Sequence, residues 1–340
     1  MLAAKMCRLP VATFVSALPH SSGMSAAVRP LRSQCITCRI QKMASFGRAS
    51  SLRKVKKLTL KERAMAPAGD GAFTLGKGML AGVSAVGLGM LCYYGLGMSN
   101  EVGAIDRAAI WPNVVRQRVK DTYMYFGGSL VFTAAAAVAA SRSPMMMRLV
   151  MKNGWLALIG TMAAMIGSGM VVRALPYKEG FGAKQIAWMV HSGIVGAVIA
   201  PLTLLGGPLM IRAACYTAGV VGGLSALAMC APSDKFLYMG GPLAMGLGVV
   251  IVSSIGGMFI PPTTALGAGM YSVALYGGLA LFGMFLLYDT QKIIHRAENH
   301  PVYAMQPYDP INNSVGIYLD TINIFIRIAT ILAGGGNRRR

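Results

Sequence analysis

The sequence predicts an all-α, polytopic membrane helix bundle of about eight transmembrane helices. Three observations carry this. Hydrophobic residues fill 55% of the 340 positions and charged residues 13%, a balance that a domain with a hydrated surface does not sustain. The apolar residues gather in runs of about 20, the length at which a helix rising about 1.5 Å per residue crosses a hydrocarbon layer of about 30 Å. Most of the stretches between runs are short, which makes neighbouring helices antiparallel members of one bundle.

Taken in order, residues 1–61 hold 12 Lys or Arg and no acid, so the first segment supplies much of the net charge of +21. Basic, acid-free and dotted with serine, residues 1–50 have the composition of a mitochondrial transit peptide, with a processing point near residues 47–50. The alternative is a basic tail that binds anionic lipid. Because the charge sits in this leader rather than in a patch on a folded face, no nucleic-acid partner is expected. Residues 51–78 read as a solvated basic segment before the first span.

The eight runs are 79–98, 123–140, 154–172, 186–206, 209–230, 236–260, 264–289 and 311–332, followed by a basic tail at 333–340. Residues 99–121 read as a mixed-charge loop with Trp111 at headgroup depth, and 291–310 as the one other long loop. Glycine sets such as Gly82, Gly87 and Gly89, Gly219 and Gly223, and Gly278 and Gly283 are expected to let helix backbones approach one another. Pro201 and Pro242 are expected to kink their spans. Arg212 reads as a snorkelling residue. Cys35 and Cys38 form the single close cysteine pair, a weak zinc or redox signal in a segment destined for removal. No glycine-rich phosphate loop lies between a strand and a helix, so nucleotide chemistry is not expected.

Ionisable groups at bilayer depth mark function or a buried pair. Of eleven acidic residues, only Asp289 and Asp320 fall in apolar runs. Asn313, Asn323 and Arg327 share a helical face with Asp320, a polar stripe that must look into the bundle or into water. If the spans alternate in direction, the third and seventh end, and the fourth and eighth begin, on one side of the membrane. Arg173, His191, Asp289 and Asp320 then converge at one end. Two carboxylates in such a place share a proton or hold a cation between them, and oxygen ligands suit Ca²⁺. Protons and Ca²⁺ would compete there, with Arg173 as counter-ion or gate and His191, Asn323 and Arg327 as accessories. The residues leave a second reading open, in which Asp320 and Arg327 are a buried ion pair and Asp289 lies at headgroup level near Lys292. No resident cofactor is implied.

At these residues the chain resembles the Bax inhibitor (transmembrane Bax inhibitor motif) family. The resemblance rests on Phe285-Leu286-Leu287-Tyr288-Asp289-Thr290-Gln291, then Tyr308-Asp309-Pro310-Ile311, then residues 318–325 beginning Tyr318-Leu319-Asp320. Further matches to its mitochondrial inner-membrane branch are at 91–97, 196–202, 229–233 and 261–264. The resemblance implies a Ca²⁺ leak or Ca²⁺/H⁺ exchange governed by Asp289 and Asp320, with Arg173 similar in position to a family arginine. It implies a multi-pass inner-membrane protein that affects cristae organisation, cytochrome c retention and apoptosis, in contact with inner-membrane proteins and lipid such as cardiolipin. Three functions stand against one another: a cation transporter; a scaffold acting through loops, the Arg338-Arg339-Arg340 tail or cardiolipin; and an enzyme, for which no nucleophile and base pair stands at motif spacing.

Overall fold

The computed structural model describes residues 59–336 apart from 97, 100–102, 152–154, 233–234 and 302. The predicted leader at 1–50, with Cys35 and Cys38, and the terminal arginines lie outside the described residues. A unit ending at Ala66 contributes the single turn Leu60–Ala64, opened by a capping box in which Thr59 and Glu62 bond each other's backbone N–H groups. All that follows concerns the unit beginning at Pro67.

Its long helices are α1 (Thr74–Gly95), α2 (Asn113–Arg142), α3 (Trp155–Ala174), α4 (Ala183–Ile199), α5 (Gly207–Cys230), α6 (Gly240–Phe259), α7 (Ala265–Asn299) and α8 (Pro310–Gly336). Among the described residues there is no strand, only two isolated bridges. Seven helices are long and apolar enough to cross a membrane; in α3 the apolar stretch Ile159–Ala174 is shorter. Each predicted run falls on one of these helices, and the chain is a polytopic helical membrane protein.

Several predicted boundaries move outward, because helical hydrogen bonding does not stop where hydrocarbon does. The predicted loop at 99–121 is corrected: it contains the helix Ala104–Ala108, and α2 starts at Asn113 with Pro112 supplying an extended N-cap. Asp121 is therefore on a helix. Likewise α7 continues through Lys292, Arg296 and Glu298 to Asn299, which leaves a shorter connection to α8 than the predicted 291–310. Neither proline kinks a helix midway. Pro201 opens the 3-10 turn Ala200–Leu205 that ends α4, and Pro242 lies in the first turn of α6, where a missing N–H costs nothing. The chain then reverses into α5 at Gly206, whose φ of 100° suits a residue without a Cβ.

α8 is the centre: half of its apolar window is buried inside the protein, whereas none of that of α1 is. It packs on α7, α2 and α5, and α2 in turn makes the most extensive helix pair with α4. One apolar cluster joins Ala213 of α5, Phe282, Leu286 and Ile293 of α7, and Ile317, Ile324 and Ile328 of α8. The glycine expectation is largely corrected: a Cβ at Gly82, Gly87, Gly89, Gly219 or Gly223 would touch nothing within 4 Å. Gly278 and Gly283 do have close neighbours, Arg327 and Leu224, and other close approaches fall outside the predicted sets. At Gly196 a Cβ would strike the Thr133 backbone where α4 crosses α2, and at Gly316 it would strike the Asp289 carboxylate.

Candidate cation site

The motif residues before α8 set its position. Asp309 stands just ahead of Pro310 at the first helical position; its Oδ1 accepts the N–H of Asn312 at 3.0 Å, an N-cap bond. Its Oδ2 pairs with the Lys184 ammonium, which also donates to the Leu175 carbonyl at 2.7 Å. Lys184 is 2% exposed, so α4, the α3–α4 turn and the head of α8 are joined through one desolvated cation. The Tyr308 hydroxyl meets Thr122 Oγ1 at 3.0 Å, and the Arg118 guanidinium lies 5.6 Å from its ring centroid. Burial pushes the Tyr308 phenol up from its ordinary value, which keeps that hydroxyl protonated. Arg118 further donates to the carbonyls of Ala297 and His300, binding α2 to the end of α7.

On α7, Leu286 and Leu287 enter the core, and Gln291, fully buried, fixes the α5–α6 connection. Its Oε1 accepts the Phe236 N–H at 2.7 Å, and its Nε2 donates to the carbonyls of Pro232 at 2.7 Å and Ala228 at 3.3 Å. On α8, the Tyr318 and Thr133 hydroxyls are 2.6 Å apart, which fixes α8 against α2. With their neighbours so held, Asp289 and Asp320 have one remaining direction, into the space between the two helices.

That space is a cavity of about 590 Å³ lined by Arg173, Asp289, Lys292, Arg296, Asn312, Asn313, Gly316, Asp320 and Asn323, with Leu247, Phe282, Phe285, Ile293 and Leu319 as its apolar wall. Polarity is graded along it. Arg173 and Arg296 are exposed, Asp289 is half-buried, and Asp320 is 6% exposed with its Oδ2 without a hydrogen-bond partner. Lys292 Nζ lies 3.8 Å from Asp289 Oδ1, a loose pair in which the ammonium also sits 5.1 Å from the Tyr288 ring centroid. Arg296 Nη1 donates to Asn313 Oδ1 at 2.8 Å. Gly316 gives the Asp289 carboxylate its room against α8.

The structure therefore brings Arg173, Asp289, Asp320 and Asn323 to one cavity. Arg173 makes no ion pair among the described residues, and its carbonyl accepts from Asn312 at 3.4 Å. His191 is elsewhere: 3% exposed, it lines a neighbouring, mostly apolar cavity of about 370 Å³ that shares Arg173, Leu319 and Asn323 with the first. Its Nδ1 lies 2.8 Å from Ser168 Oγ, and its Nε2 has no partner. Arg327 is not paired with Asp320; it bonds Asn323 and the Ala274 carbonyl instead. Lys292, Arg296 and Gly316 were missing from the sequence-derived site, although each stands three, four or seven residues from an aspartate and so on its helical face. Lys184 was missed too, since nothing in a sequence reveals that its partner is Asp309. Among the described residues no three His, Cys, Asp or Glu side chains come together as a metal cluster.

The fold and this cavity define a polytopic α-helical membrane protein with two carboxylates drawn between its last two helices. Comparison with known proteins narrows the class. The family described as "Inhibitor of apoptosis-promoting Bax1" matches residues 115–338, and the chain belongs to this Bax inhibitor family. It is 58% identical over 284 residues to the growth hormone-inducible transmembrane protein of Rattus norvegicus, covering 83% of this chain and 82% of that one. An uncharacterized protein of Helicobacter pylori (strain ATCC 700392 / 26695) is 30% identical over 219 residues, 63% of this chain and 85% of its own length. Bax inhibitor 1 of Oryza sativa subsp. japonica is 25% identical over 175 residues, 51% of this chain and 66% of its own.

Proposed function

We propose that the chain carries cations across its membrane, exchanging Ca²⁺ against protons or leaking Ca²⁺ under the control of pH, at a site formed by Asp289 and Asp320. The observation that carries this reading is the buried Asp320 carboxylate, with an oxygen that no side chain or backbone group satisfies, facing the same cavity as Asp289. A carboxylate so placed is stable with a proton or beside a cation, and bare only at large cost. Two carboxylates, completed by water, give Ca²⁺ a weak oxygen site suited to cargo rather than to a resident ion. Lys292 serves as a tethered counter-ion for Asp289, displaced when the cation arrives. Arg173, on the wall of both cavities, is the gate candidate, and His191 is an accessory through the neighbouring cavity only.

The proposed location is the mitochondrial inner membrane, supported by the acid-free basic leader and tested by import into isolated mitochondria with loss of that leader. Effects on apoptosis, cristae and cytochrome c retention would follow from altered Ca²⁺ handling in that membrane. Ca²⁺ flux into proteoliposomes across an imposed pH gradient tests the activity. Asp320→Asn and Asp289→Asn are expected to lower flux and flatten its pH dependence. Undiminished, pH-sensitive flux in both variants refutes the site and favours a scaffold acting through protein or cardiolipin contacts.

A further inference from the structure

Just beyond two lining residues of the cavity, Phe282 and Asn323, stands a charge. Descending α7 from its C-terminal end, the lining residues include Arg296, Lys292, Asp289, Phe285 and Phe282; descending α8 they include Asn313, Gly316, Leu319, Asp320 and Asn323. Arg327 comes next. Its guanidinium lies 4.6 Å from the Phe282 ring centroid, and its Nη1 donates to the Asn323 carbonyl at 3.1 Å and to Asn323 Oδ1 at 2.9 Å. Its Nε donates at 3.2 Å to the carbonyl of Ala274, which belongs to the π-helical turn Val273–Gly277 in the middle of α7. Such turns are rare and concentrate at functional positions. Gly278 leaves the guanidinium its room, since a Cβ there would collide with it. Among the described residues no carboxylate comes within ion-pair distance of Arg327. A cation at bilayer depth, held by neutral acceptors from three places shaped to receive it, is a positioned group rather than half of a pair.

We propose that Arg327 is the plug of the aspartate cavity: its guanidinium, seated on Phe282, Asn323 and the Ala274 carbonyl, bars the way to the opposite side of the membrane. Seven residues beyond Asp320, it lies about 10 Å further along the helix axis. A divalent cation at the aspartates meets a like charge there, in surroundings that screen it poorly. Passage requires the guanidinium to leave Asn323 and the π-turn. The consequence for flux rests on the cation reading above, whereas the barrier itself is testable without it.

The test uses the full chain with its six cysteines replaced by serine and Leu319→Cys added inside the cavity. In vesicles of uniform orientation, a membrane-impermeant cationic methanethiosulfonate is applied to either face. Cysteine at 319 is expected to label from one face only. Adding Arg327→Gln should open labelling from both faces and raise Ca²⁺ efflux from loaded vesicles by about tenfold or more, while Arg327→Lys, which keeps the charge, should restore one-sided labelling. Should the Gln variant not fold, Gly278→Ala, which dislodges the same guanidinium, is expected to open the cavity in its place. One-sided labelling that survives in Arg327→Gln or Gly278→Ala overturns the plug, as does two-sided labelling in Arg327→Lys. Two-sided labelling in Arg327→Gln with efflux unaltered, or with efflux indifferent to Asp289→Asn and Asp320→Asn, upholds the plug and overturns the cation reading.

Discussion

The Lys184–Asp309 pair allows a perturbation whose size follows from burial. The Lys184 side chain is 1% exposed and that of Asp309 22% exposed. Replacing Asp309 by Asn removes the counter-charge but keeps an oxygen for the Asn312 N–H and leaves the lysine its bond to the Leu175 carbonyl. The loss is then that of an ammonium stranded out of water, about 3 kcal/mol at the lower end of the range for breaking a buried pair. Lys184→Met strands the more hydrated partner and takes one donor from the Leu175 carbonyl, so about 1–2 kcal/mol is expected. The double variant removes both charges and is expected within about 1 kcal/mol of the wild type. With the double variant near the wild type, the three values imply a coupling of about 4–5 kcal/mol, large enough to resolve in a double-mutant cycle. Thermal unfolding of the purified protein in one detergent reads it out. At roughly 2–4 °C per kcal/mol for a chain of this order of size, Asp309→Asn should melt about 6–12 °C low and the double variant near the wild type. A double variant that melts as low as Asp309→Asn refutes the argument, because the cost would then lie in packing or capping and not in a stranded charge.

The other expectations concern the cavity and its supports. Asp320→Leu should raise thermal stability by about 1–3 kcal/mol while abolishing aspartate-dependent flux, since the unpartnered carboxylate is a cost borne for function; a lower melting temperature contradicts this. Gly316→Ala places a methyl against the Asp289 carboxylate and should depress Ca²⁺ flux with a change in melting of under about 2 kcal/mol, so an unaltered flux argues that Asp289 need not stay where it is. Gln291→Leu leaves the Phe236 N–H and two carbonyls of the α5–α6 connection unmet. It should cost about 2–4 kcal/mol and speed amide exchange there.

The sequence motifs proved to be of two kinds, and physical chemistry separates them. Tyr308, Asp309, Gln291 and Tyr318 stand in the same motifs as Asp289 and Asp320, yet they bond α2, α4 and the α5–α6 connection and hold the helices in register. The two aspartates were legible as exceptions because a carboxylate in an apolar run is conspicuous wherever the run ends up. Lys292 was legible only as a neighbour of Asp289 at headgroup level and Arg296 not at all, since the predicted end of the seventh run hid the helix they extend, and a basic residue near a span end passes for a snorkelling one. The alternative reading, a pair of Asp320 with Arg327, is not what the structure shows, for a related reason. Seven residues apart they share a face, but a helix separates them by about 10 Å along its axis, and the π-turn carbonyl that receives Arg327 has no signature in the local pattern.

By itself the sequence determined that this chain is a helical membrane bundle, where its spans lie to within about three turns at their ends, and that Asp289 and Asp320 are the residues needing an explanation. Those properties are local, set by run length, by the cost of a charge in hydrocarbon and by the 3.6-residue period. The tertiary structure alone decided the rest: that Lys184 belongs to Asp309, that His191 lines a neighbouring cavity sharing a wall with that of the aspartates, and that Arg327 faces the π-turn below the aspartates rather than pairing with them. Such pairings depend on which faces of distant helices meet, and a one-dimensional pattern of hydropathy and charge carries no information about that rotation.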